Sequence, residues 1–198
     1  MRVVERELHP AESRGYRELS AFSRELIEHW TALATKAGPP TSSARDALER
    51  SVRATRELLV ELEPMIALYG LHDKPAAQGA GIQIARQRTA VRDRFLERGQ
   101  ALRFSVGEIV HLCVLLGYLG QVAQSRDDAR LVEFCERWER KLRRQESAVR
   151  KAVQELGSEP DGAVEPLHPS VLGRVAHGVG YVIGSAGEWF DNRAATRR

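Results

Sequence analysis

The chain has 198 residues, 42% hydrophobic and 29% charged, and its 30 basic and 27 acidic side chains leave a net charge of +3. That length suits one domain of ordinary size, and that apolar content excludes wholesale disorder, which needs few large apolar residues and a high net charge. Two cysteines and no periodic glycine exclude a disulfide framework and a collagen-like repeat.

The opening stretch MRVVERELHP is charged at Arg2, Glu5, Arg6 and Glu7 and has no apolar core, so it does not read as a signal peptide. No run of 18 uncharged apolar residues appears either. The expected compartment is a bacterial-type cytoplasm. Of the bases, only Lys36, Lys74, Lys141 and Lys151 are lysines, and the other 26 are arginines. Arginine suits bidentate contacts to phosphate or carboxylate. A GC-rich genome gives the same bias without functional cause, and that is the preferred reading.

Apolar residues recur with a period near 3.6 almost throughout, which predicts helices. The first opens near Pro10, with Glu12 in its first turn, and buries Leu19, Phe22, Leu26, Trp30, Leu33 and Ala37 before Gly38-Pro39-Pro40 stops it. A second starts at Thr41-Ser42-Ser43, where Ser43 and Asp46 have capping-box spacing. It continues through Leu48, Val52, Thr55, Leu59, Leu62, Ile66 and Tyr69, is interrupted by Pro64 and ends at Gly70. After a loop from Leu71 to Gly81, a third covers about Ile82 to Gly99, with Arg86, Arg88, Arg92, Arg94 and Arg98 on its polar face.

A fourth helix is expected over about 105–124, capped by Ser105 with Glu108. It is apolar nearly all round, the pattern of a helix at the centre of a bundle. A fifth follows from Ser125 and Asp128, with Leu131, Cys135, Trp138, Leu142, Gln145, Val149 and Leu156 inward. Its outer face sets Glu136, Glu139 and Glu146 four residues before Arg140, Arg143 and Arg150. Residues 158–166 read as an acidic linker with Glu159, Asp161 and Glu165. Residues 167–198 form a Gly-rich helical segment with a basic tail, packed on the bundle formed by residues 1–157. The fold class is thus all-α, a bundle of five to six mostly antiparallel helices with short connections.

Candidate chemistry is sparse. Glu108 and His111, three apart, could share a metal, but carboxylate-bridged bundles need a second such pair and further glutamates, which the sequence lacks. A cap residue and a semi-buried histidine are the favoured reading, and no metal or other cofactor is expected. Cys113 and Cys135 read as buried thiols rather than nucleophiles. No nucleophile elbow, P-loop, dinucleotide glycine pattern or zinc-ligand spacing occurs.

Partner contacts are expected from Arg86, Arg92, Arg140, Arg143 and Arg144 on the basic faces. The small residues Ala176, Gly180 and Gly184, four apart, could admit a close helix neighbour, with Trp189 and Phe190 beside them. Six acids between Arg126 and Lys151 speak against nucleic acid as the partner. The leading expectation is a non-enzymatic adaptor or regulator that binds a protein and can self-associate. The first alternative is an enzyme or ligand-binding bundle built on Glu108, His111, His29 and Gln145, which requires a buried His111. The second is a peripheral membrane protein that uses residues 170–198.

Overall fold

A computed structural model describes residues 7–35, 41–71 and 96–166, of which 85% are helical and none lies in a strand. Four long helices, α1 (Pro10–Thr35), α2 (Ser42–Leu68), α3 (Arg98–Gln124) and α4 (Ala129–Leu156), are followed by one short helix, α5 (Pro160–Ala163). The all-α bundle with an apolar central helix is therefore formed. The helix expected at Ile82–Gly99 and the segment at 167–198 lie outside the described residues, apart from Arg98 and Gly99, which open α3.

The expected stripes become the core. Leu19, Leu26, Trp30 and Leu33 of α1 are buried against Leu48, Val52, Leu59 and Leu62 of α2 and Leu131, Trp138, Leu142 and Val149 of α4. Two wholly buried tryptophans, Trp30 and Trp138, are its largest side chains. Burial of one such ring removes about 150–250 Å² from water.

Helix direction follows from cross-helix contacts. Residues 12, 18 and 30 of α1 meet residues 126, 111 and 108 at and along α3, while residues 43, 57 and 61 of α2 meet residues 155, 141 and 137 of α4. Along α3 and α4, Gly117 lies against Glu139 and Gly120 against Cys135. Around the ring α1–α2–α4–α3 every neighbouring pair is antiparallel, so α1 and α4 run one way and α2 and α3 the other. The end of α1 is thus adjacent to the start of α2, and the end of α3 to the start of α4, with few residues between them. The link from α2 to α3 cannot be short, because it joins opposite ends of the bundle; this is the one-crossover form of a four-helix bundle.

Helix ends differ from the sequence expectation in instructive ways. Thr41, not Ser43, caps α2 by accepting the Ala44 N–H at 3.2 Å, and the Ser43 hydroxyl donates instead to Glu155 at 2.7 Å. Ser105 does not start a helix. It lies two turns inside α3 and donates to the Ala101 carbonyl at 3.1 Å, while Glu97 and Gln100 form the capping box. Asp128 caps α4 by accepting from Leu131 N–H at 3.1 Å, whereas Ser125 ends α3. Pro64 is carried within α2, which then ends at Gly70 (φ 63°) with Leu71 N–H on Ile66 O at 2.9 Å. That is a Schellman closure, and the left-handed residue it requires is glycine.

Residues 158–166 pack onto the bundle rather than hang free. α5 touches α3 and α4, Arg98 N–H donates to Glu165 O at 2.9 Å, and Pro166 bridges Glu97.

Candidate functional site: a groove between α2 and α4

Every fourth or third residue of α2 and α4 faces the other, so their contact surface repeats along the bundle. At its centre Arg137 clasps Glu61 with two hydrogen bonds of 3.0 and 2.6 Å, Trp138 Nε1–H donates to Glu61 at 3.2 Å, and Lys141 pairs with Glu57. Both cations also lie near the Trp138 ring, at 5.6 and 4.5 Å from its centroid. These bonds from Arg137 hold the Glu61 carboxyl below its ordinary range, and Glu61 in turn raises the guanidinium.

Beyond this clasp the helices part and leave an open groove of about 510 Å³. Pro64, Met65 and Leu68 from α2 and Phe134 from α4 supply its apolar lining. Leu68 is 58% exposed there, although it is a large aliphatic residue. Arg130, Glu133 and Arg137 form the α4 rim. Arg130, Arg137 and Arg144 are seven apart and therefore share one exposed row of that helix. Among the described residues Arg137 has its acid, while Arg130 and Arg144 have none.

The other expected contact residues on α4 are spent locally. Arg140 pairs with Glu136 at 3.3 Å and Arg143 with Glu139 at 2.6 Å, and Arg150 pairs with Glu146, the three couples predicted from spacing. Exposed pairs of this kind contribute little to stability. Arg86, Arg92, Ala176, Gly180, Gly184, Trp189 and Phe190 lie outside the described residues.

Glu108 and His111 part company. Glu108 accepts from Trp30 Nε1–H at 2.6 Å and lies 3.0 Å from His29 Nδ1. It is not the cap partner of Ser105. His111 lies 3.1 Å from Glu18, its ring sits tilted against Phe22 with centroids 4.6 Å apart, and its side chain is 45% exposed. The semi-buried His111 expected from sequence is corrected to an exposed one, so the buried Glu108–His111 site does not assemble. His29 does join Glu108, as that reading also supposed. Among the described residues no three His, Cys, Asp or Glu are grouped to hold a metal ion.

At the opposite end, Glu12 is wholly buried, accepts the His9 N–H at 2.8 Å and pairs with Arg126 at 3.2 Å. Tyr16 and Cys135 meet across the core at 3.7 Å. Burial pushes the Cys113 and Cys135 thiols up to about 11 and raises the Tyr16 phenol as well. A thiol held that far above neutrality is a poor nucleophile. The groove escaped the sequence reading because its two walls come from helices far apart in the chain, at residues 61–68 and 130–137.

One described helix, α3, is long and apolar enough to cross a membrane by length and composition, a test that core helices also pass. No family model, characterised protein or solved structure matches the chain.

Proposed function

We propose that the chain is a non-enzymatic helical interaction protein of the adaptor type, and that it takes an amphipathic helix of a protein partner in the groove between α2 and α4. The observation that carries this reading is an open apolar floor beside a charged rim in which Arg130 stands without an ion-pair partner among the described residues. Pro64, Met65, Leu68 and Phe134 offer the floor, and Arg130 on its rim pairs with no acid among the described residues. Helix-in-groove recognition uses an apolar stripe on the guest and complementary charge beside it. Met65 adds a side chain that adapts to differently shaped guests. The fitting guest has three or four apolar residues at helical spacing and an acidic flank.

The test is photo-crosslinking in cells of the source organism, with a benzophenone amino acid at Leu68 or, as control, at the exposed Asp46 of the same helix. A discrete protein adduct from position 68, lost when Arg130 is changed to Glu, is the expected result. No adduct from position 68, or the same adduct from position 46, contradicts the proposal.

A further inference from the structure

α3 presents a row to the outside that is unlike the rest of the surface. Gly107, His111, Val114 and Tyr118 follow one another at spacings of four, three and four, and none is an acid, lysine or arginine. Val114 is 61% and Tyr118 51% exposed, and a Cβ placed on Gly107 would meet nothing within 4 Å. Exposed hydrophobics such as Val60 and Leu68 occur on α2 as well, whereas the outer face of α4 carries charges.

The described chain ends at the foot of this row. Pro166 bridges Glu97, Arg98 is tied to Glu165 through both backbone and side chain, and Ala163 O lies 3.1 Å from the position a Gly99 Cβ would take. Residues 167–198, outside the described part, therefore start level with the first turn of α3. Between Leu167 and Gly187 the sequence holds a single arginine or lysine, Arg174, and no acid. We propose that residues 167–190 dock along the outward row of α3, so that the occupant of this face is the chain's own carboxy-terminal segment.

Two features favour this occupant. A helix rises about 1.5 Å per residue, so a helical segment that starts level with α3 keeps step with it. Ala176 then falls opposite Gly107, Gly180 opposite His111 and Gly187 opposite Tyr118. Gly180 and Gly187 thus face the bulky His111 and Tyr118, the relation that lets two helix backbones approach closely. In addition, a row with no acid, lysine or arginine of its own matches a segment almost without charges. The proposal does not depend on the α2–α4 groove.

The test uses the full chain with Val114→Cys and Ile183→Cys, which fall opposite each other in this register, under mild oxidation with peptide mapping. The native thiols are buried and held in the protonated form. The expected result is conversion to an intrachain disulfide at monomer mass, with a shift to faster mobility, and the same for Tyr118→Cys with Gly187→Cys. Asp46→Cys with Ile183→Cys should show no such shift. A disulfide-linked dimer would instead assign the face to a second copy of the chain. Failure of both opposed pairs to bond in chains of native helicity, or equal bonding by the Asp46 control pair, would equally overturn the proposal. The exposed Val114 makes loss of folding an outcome that the second pair resolves.

Discussion

Four buried or half-buried side chains define what single residues do here. The Glu108 carboxylate is held by the Trp30 indole and the His29 ring at the junction of α1 and α3. Glu108→Gln keeps the shape and removes the charge, and it should cost about 1–3 kcal/mol in a urea melt, the scale of a hydrogen bond to a charged group. Ser23 is the converse case. Its hydroxyl is wholly buried and has no hydrogen-bond partner among the described residues. Ser23→Ala should therefore raise stability by about 1 kcal/mol, since an unpaired buried hydroxyl is itself a penalty; a loss of stability would show that the hydroxyl is bonded. Cys113 and Cys135 link stability to alkaline pH. Their folded values near 11 lie above the ordinary 9.0, so the folded state keeps protons that the unfolded chain releases. Stability should be full below about pH 9 and fall as pH rises toward 11. Cys113→Ala with Cys135→Ala should flatten that decline.

At the scale of the helix, what was legible was what repeats. Leu19, Leu26, Trp30 and Leu33, or Leu131, Trp138, Leu142 and Val149, announce a buried face because the helical period returns them to it. Helix starts were less legible, for a physical reason. A hydroxyl with an acid three residues on marks a cap, but Ser105 and Glu108 have that spacing inside α3, where the hydroxyl bonds back to Ala101 and the acid reaches another helix. The true cap uses Glu97, a residue type that rarely leads there. Pairs across helices were not legible at all, because Glu61 and Arg137 meet only once α2 and α4 take their register. Glu61, held below its ordinary value of 4.5, contributes stability above that pH and loses it as pH falls. Glu61→Gln should thus leave a shallower loss of stability between about pH 5 and 3. Close helix approach has its own test at Gly15, where an added Cβ would lie 2.6 Å from Leu119 Cδ2 and 3.2 Å from its Cγ. Gly15→Ala should cost about 1–3 kcal/mol through overpacking. In a Leu119→Ala background the same change should become neutral or favourable, and additive losses would contradict the contact.

For the whole molecule, the sequence announced an all-α bundle with antiparallel neighbours, and that is what is formed. The single crossover between α2 and α3 was not visible, because no local pattern records which ends of two helices stand together. The same blindness hid the groove. Pro64, Met65 and Leu68 look like the fraying end of one helix until Phe134 and Arg130 close the other side. The basic residues of α4 expected to meet a partner were visible, and the structure divides them: Arg140 and Arg143 pair along their own helix, while Arg144 has no acid among the described residues and lies outside the groove lining. Placement of the interaction surface at the groove is the central claim, and hydrogen exchange of the full chain with and without the partner trapped from position 68 tests it most directly. The account predicts slower exchange in residues 57–68 and 130–144 and an unchanged rate in residues 104–121. Slowing confined to 104–121, or no slowing in either wall of the groove, would contradict it.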